Sequence, residues 1–240
     1  YNFSALLLSA VTEIRLEKYD DAEKKLKFLI SANPTEACMY EYANLLYHQQ
    51  KYNDALVYAG KTLAINPNML PAYIMLGNVY CKNYDYENSV HSFEQAEKLE
   101  LISPLLYTEW GNALNHFNRF GEALEKFQKG EICSGLALSY AELGEYSKAK
   151  EVLSKVEEDI NTIQTKGLLE FVDGNYKKAI EYFKSAISEN YNYLRLAKCY
   201  EKLSNDLMVK DSYEKFIMYC PNYAQGYIDY ANYLISKKNL

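Results

Sequence analysis

Residues 70–103 read LPAYIMLGNVYCKNYDYENSVHSFEQAEKLELIS. Tyr73, Leu76, Gly77 and Tyr80 follow at spacings of three, one and three, which puts them on one face of a helix. Tyr86, Ser89, Phe93 and Ala96 do the same at three, four and three. Thirty-four residues earlier, Met39, Tyr42, Ala43 and Leu46 and then Tyr52, Ala55 and Ala59 stand in matching places, and Asn66-Pro67 closes that unit because proline cannot continue a helix. Thirty-four residues later come Tyr107, Trp110, Gly111 and Leu114, then Phe120, Ala123 and Phe127. Self-similarity at a fixed period of this length marks stacked helical hairpins.

Working outward, Leu6, Ala10, Tyr19, Ala22, Leu26 and Pro34 form a first unit, offset by thirty-three residues. Later units centre on Ala137, Tyr146 and Ala149; on Gly167, Tyr176, Ala179, Phe183 and Ala186; and on Ala197, Tyr200, Tyr213 and Pro221. From Ala123 to Ala149 the interval falls to twenty-six, and the next two, to Ala179 and Val209, are thirty each. The missing residues fall around Gly130 and Gly135, so the helices on either side should each lose about one turn of 3.6 residues. The small residues have a mechanical reason: where two helices cross, Ala or Gly lets the backbones approach and a neighbouring aromatic ring fills the groove.

The pattern resembles the tetratricopeptide repeat (TPR) family. That resemblance implies an all-α, TPR-like superhelix of about seven helical hairpins and one final helix. The repeats are expected at 3–35, 36–69, 70–103 and 104–129, then in shorter form at 130–159, 160–189 and 190–223, with a last helix at 224–236, as a single array over 1–240. Lys166, Glu170 and Val209 depart from the residue types usual at their family positions.

Composition narrows the function. The net charge is −6 and the pI about 5.3, so no broad basic surface is present to grip phosphates, and nucleic acid is not an expected partner. Ala5–Val11 is too short to span a membrane and no basic segment precedes it, so neither anchor nor signal peptide is expected. Five cysteines, odd in number and scattered through helical patterns, fit reduced thiols in an intracellular compartment, cytoplasmic or nuclear. His48, His91 and His116 have no HExxH or Cys-x-x-Cys companions, and no Gly-rich phosphate loop occurs, so no catalytic residue, metal or cofactor is expected. The Glu157-Glu158-Asp159 run and Lys24, Lys25 and Lys27 read as solvated faces.

The resemblance further implies that first helices line a concave groove and that the residue after each small Ala or Gly points into it. Those residues are Asn44, Asn78 and Asn112, with Asn232 recurring at the end; Tyr40, Tyr47, Ile74, Lys82, Thr108 and His116 are expected around them. A carboxamide both donates and accepts, and so can hold the backbone of an extended peptide whatever its sequence. Leu7, Val11, Tyr40 and Ile74 stand where chaperone adaptors of the family carry the basic residues that clamp a terminal carboxylate. The last helix is apolar on more than one face, which points to a subunit contact through Tyr227, Tyr230, Tyr233 and Leu234.

The expected function is a non-enzymatic protein-protein interaction scaffold in a multiprotein complex, binding an extended peptide and other subunits. The stretch Leu196–Leu203, LAKCYEKL, is similar to TPR subunits of the anaphase-promoting complex, which implies a possible homodimer. The alternatives are a peptide-tail-binding adaptor of co-chaperone or import-receptor type, and a TPR domain of a larger enzyme.

Overall fold

The structure, a computed structural model, describes residues 2–101, 103–188, 190–221 and 223–238. Among them are fifteen helices and no strand. Seven hairpins form from α1 (Phe3–Arg15) and α2 (Tyr19–Ala32), α3 (Glu36–His48) and α4 (Tyr52–Ile65), α5 (Leu70–Lys82) and α6 (Tyr86–Glu97), α7 (Pro104–His116) and α8 (Phe120–Phe127), α9 (Ser134–Glu142) and α10 (Tyr146–Leu153), α11 (Ile160–Val172) and α12 (Tyr176–Ser185), and α13 (Asn192–Lys202) and α14 (Asp206–Tyr219). The last helix is α15 (Ala224–Lys238). The chain divides into two compact units, Tyr1–Glu131 with four hairpins and Ile132–Leu240 with three hairpins and α15.

One backbone device closes every hairpin. Glu17, Gln50, Tyr84, Asn118, Gly144, Gly174 and Ser204 each adopt positive φ just after a first helix. In the second hairpin the Gln50 N–H donates to Tyr47 O and the Lys51 N–H to Leu46 O, at 2.9 and 2.8 Å, and the same crossed pair recurs at the other six turns. This is the Schellman arrangement, which satisfies carbonyls a helix end would otherwise leave unpaired. The spacing of these turns repeats the sequence interval, including the drop to twenty-six between Asn118 and Gly144.

Three hairpin crossings rest on a glycine. A Cβ on Gly77 or Gly111 would stand 2.6 Å from the ring of Phe93 or Phe127, and one on Gly167 would stand 2.6 Å from Phe183. Ser89 tightens the α5–α6 crossing by donating its hydroxyl to Gly77 O at 2.8 Å. The shortening expected near Gly130 and Gly135 appears as an α8 of 8 residues and an α9 of 9. α10 also has only 8, a loss the sequence reading did not foresee. Gly130 is needed where it stands, because a Cβ there would meet Thr108 Oγ1 at 2.7 Å and the Thr108 backbone N at 2.9 Å.

Two surface expectations need correction. Lys25 is half-buried: it pairs with Glu13 and donates to Ser9 Oγ at 2.9 Å, tying α2 to α1, whereas Lys24 and Lys27 are exposed. Asp159 is not simply solvated either. It caps α11 in a capping box with Thr162 and accepts from the Ser134 hydroxyl, joining α11 to α9.

The second unit carries a buried charge. Arg195 on α13 pairs with Glu142 on α9, donates to Gln164 on α11 and to Asn192 Oδ1, and lies over the Tyr191 ring, 4.9 Å from its centroid. Three first helices thus share one guanidinium whose bonds leave little of its donor capacity unused, the condition under which an ion can be buried.

Candidate functional site

The first unit contains two adjoining cavities on the side formed by its first helices. One, of about 360 Å³, lies between α1 and α3 and is lined by Val11, Ile14, Arg15, Tyr40, Glu41 and Asn44 among others. The other, of about 370 Å³, spans α3, α5 and α7, with Tyr47, Ile74, Met75, Asn78, Leu105 and Glu109 in its walls. Tyr40, Asn44 and His48 belong to both, so the two cavities form one groove.

The groove floor is dry enough to perturb its ionisable groups. Burial, helped by Glu41, pushes the Tyr40 phenol up to about 12, and burial with Cys81, Tyr52 and Glu109 nearby does the same at Tyr47. Burial also raises the Glu41 carboxyl above its usual range, opposed by the Asn44 amide and the Arg15 charge. The two carboxamides are oriented by carboxylates. Asn44 Nδ2 donates to Glu41 Oε2 at 3.2 Å, and Asn78 Nδ2 donates to Glu109 Oε2 at 2.9 Å. Their oxygens can accept, and the charges lining the groove are mainly negative, the carboxylates of Glu17, Glu41 and Glu109 against the guanidinium of Arg15, with the protonated phenols of Tyr40 and Tyr47 beside them as donors.

Of the residues singled out from sequence, Tyr40, Asn44, Tyr47, Ile74 and Asn78 line this groove. Lys82, Asn112, Thr108 and His116 do not line either cavity. Lys82 is exposed at the end of α5. His116 packs against Tyr84, centroid to centroid 4.9 Å, and against Phe117. Asn112 has its carboxamide oxygen enclosed without a hydrogen-bond partner among the described residues. Thr108 is buried; its hydroxyl donates to Pro104 O and accepts the Glu131 N–H at 2.8 Å, which makes it a support for the chain leaving α8. The sequence reading missed Glu41 and Glu109, although the two stand 68 residues apart, two repeat periods, each three residues before a ladder asparagine, with Met75 in the same place between them. In α15, Tyr227 and Leu234 are exposed, but Tyr230 and Tyr233 turn inward onto Tyr213, and the Tyr233 hydroxyl donates to Asp206 at 2.7 Å. Asn232 is exposed on the same helix.

Sequence profiles of the tetratricopeptide repeat match residues 7–69, 70–101 and 135–159. The chain belongs to the tetratricopeptide repeat family. No curated protein matches it. Among solved structures the TPR chain resembles the APC/C hetero-tetramer Cut9-Hcn1, with a TM-score of 0.67 at 13% identity over 94% of this chain and 48% of that one. It also resembles a tetratricopeptide repeat protein from Parabacteroides merdae, with a TM-score of 0.58 at 18% identity and 85% of each chain covered. A third is PilW, a widely conserved type IV pilus biogenesis factor, with a TM-score of 0.55 at 17% identity over 78% of this chain and 94% of that one. The chain spans about half the length of the Cut9-Hcn1 chain it matches. At these identities the likeness is one of fold. The TPR fold is a protein-interaction module, and among the described residues no helix is long and apolar enough to cross a membrane.

Proposed function

We propose that this TPR chain is a non-enzymatic scaffold of a multiprotein assembly, and that its first unit holds an extended segment of a partner in the groove between α1, α3, α5 and α7. The observation that carries this reading is the continuity of the two cavities through Tyr40, Asn44 and His48, which gives a run of chain a path across four hairpins. Aromatic walls supply contact area at low entropic cost, and the carboxamide oxygens accept from the segment's backbone N–H groups. A subunit role of the kind played in the anaphase-promoting complex is one form of this reading, prompted by the Leu196–Leu203 stretch. A reducing compartment, cytoplasmic or nuclear, fits five cysteines scattered through the helices, of which Cys38, Cys81 and Cys199 are buried.

A tail-binding adaptor is the weaker reading, because Glu17, Glu41 and Glu109 would repel a terminal carboxylate. The test is site-specific photo-crosslinking in the native source with a benzophenone side chain at position 47 or at position 57, where Val57 is exposed on α4. Position 47 should yield one or a few defined adducts that position 57 does not. Equal labelling from both positions overturns the groove assignment.

A further inference from the structure

The cavity between α3, α5 and α7 holds a carboxylate to which the chain brings no cation. Glu109 Oε2 accepts from Asn78 Nδ2 at 2.9 Å, and no described residue donates to the other oxygen or forms an ion pair with it. No Lys or Arg side chain lines this cavity of about 370 Å³. Its one basic group is the His48 imidazole, which packs on rings instead: it stacks on Tyr19 with centroids 6.5 Å apart and meets Tyr47 edge-on at 5.9 Å. A half-buried carboxylate without a countercharge is costly to keep.

The neighbouring cavity shows the same pairing with its cation supplied from within. There Glu41 accepts from a groove asparagine, Asn44, and Arg15 stands in the same walls with its charge acting on the Glu41 carboxyl. Arg15 is the last residue of α1, the first helix that precedes α3 in the array. The residue in that register ahead of Glu109 is Lys82, reached by way of His48 at steps of thirty-three and thirty-four residues. Lys82 is exposed at the end of α5 and does not line the cavity. No side chain of this chain does for Glu109 what Arg15 does for Glu41.

The walls discriminate among cations. Two acceptors remain on the joined pair, Glu109 Oε1 and the Asn78 carboxamide oxygen. A guanidinium carries several N–H donors in one plane and can serve two such oxygens at once, whereas an ammonium is a compact and strongly hydrated point charge. The Tyr47 ring lies in the same walls, and a guanidinium stacks favourably on an aromatic face. Ile74, Met75 and Leu105 offer apolar surface for a methylene stem. A carboxylate or phosphate would be repelled, and a purely apolar side chain would shut Glu109 away from water with no partner. We propose that the cavity between α3, α5 and α7 is a subsite for one arginine side chain of the segment held in the groove, with the guanidinium on Glu109 and Asn78 and the stem along Ile74 and Leu105. The assignment rests on the groove reading and sharpens it to one residue type at one place.

The probe is N-acetyl-arginine methylamide, titrated into the full chain with carbon-13 at the methionine methyls and followed at Met75, whose resonance is assigned with Met75→Leu. The Met75 signal should move saturably with a Kd of about 1–10 mM. The citrulline analogue, of the same shape but uncharged, should give no saturable shift, and the lysine analogue should bind at least about threefold more weakly than the arginine one. Glu109→Gln can still accept from Asn78, and circular dichroism checks that its helices are intact; it should weaken the arginine probe by about tenfold or more, the weight of a charge-assisted hydrogen bond. Lys82→Gln should change the affinity by less than about twofold, as for an exposed charge that does not reach the site. No saturable shift at Met75, an equal response to citrulline or to lysine, indifference to Glu109→Gln, or a tenfold tightening with Lys82→Gln, which would mean that Lys82 already serves Glu109, would each overturn the subsite. Cross-linking from position 47 tests the groove without this probe, so defined adducts there beside a failed titration would remove the subsite and leave the groove standing.

Discussion

Replacing Gly77 with alanine sets two known effects against each other at one atom. In an open helix the change stabilises by about 1 kcal/mol, because glycine has more backbone entropy to lose on folding. At Gly77 the added Cβ would lie 2.6 Å from Cε2 and Cζ of Phe93 and 2.9 Å from Cδ2. Phe93 is 0% exposed and stacks on Trp110, with ring centroids 5.8 Å apart, so the ring has nowhere to retreat. Overpacking of this kind costs about 1–3 kcal/mol, so the net effect of Gly77→Ala is a loss of up to about 2 kcal/mol. Gly60 in α4 is the control: a Cβ there meets nothing within 4 Å, and Gly60→Ala should gain most of the helix-propensity term, about 0.5–1 kcal/mol. The chain has one tryptophan, Trp110, buried in the first unit, so its fluorescence during urea unfolding reports the right region. The two midpoints should move in opposite directions, and Phe93→Leu should relieve part of the Gly77→Ala loss. If Gly77→Ala stabilised as much as Gly60→Ala, the close crossing on which the hairpin geometry rests would be refuted.

Other perturbations test separate parts of the account. Arg195→Met leaves the Glu142 carboxylate buried without its partner and should destabilise the second unit by about 3–5 kcal/mol; the double variant Arg195→Met/Glu142→Leu should lose less, as read from thermal unfolding. Burial raises the Glu41 pKa, so ionising it penalises the folded chain. That penalty is absent below the unfolded-state value of about 4.3 and grows as pH rises through the raised folded value. Glu41→Gln should therefore raise the melting temperature at neutral pH, with the gain vanishing in acid; a pH-independent difference would contradict the assignment. Gln50 stands at φ 60° in the turn of the second hairpin. Gln50→Gly should be neutral to stabilising by up to about 1 kcal/mol, since relief of the left-handed strain outweighs the added chain entropy, and a clear loss in urea denaturation would count against it.

The repeat was legible because each crossing needs a small residue in a fixed register, and Gly77, Gly111 and Gly167 announce it directly. The turns were less so: Glu17, Gln50, Tyr84, Asn118 and Ser204 all take a left-handed conformation that sequence would lead one to assign to glycine, because the Schellman bonds around them outweigh the local preference. Half of the groove was readable from Tyr40, Asn44, Tyr47 and Asn78. The carboxylates that orient the asparagines were overlooked because one of them, Glu109, lies 31 residues from the amide it binds. Arg195 gave no sequence signal at all, since its partner Glu142 is 53 residues away. Tyr230 and Tyr233 could not be told from Tyr227 without the position of Tyr213 on α14.

The central claim is that the groove of the first unit holds an extended, donor-bearing segment. Selection of displayed random peptides against the chain, repeated against a Tyr47→Ala/Asn78→Ala variant, addresses it most directly. The account predicts peptides enriched in Lys and Arg, to face Glu17, Glu41 and Glu109, that lose at least about tenfold in affinity on the variant, the weight of one or two good polar and aromatic contacts. Peptides without such enrichment, or peptides that bind the variant as tightly as the parent chain, would contradict it.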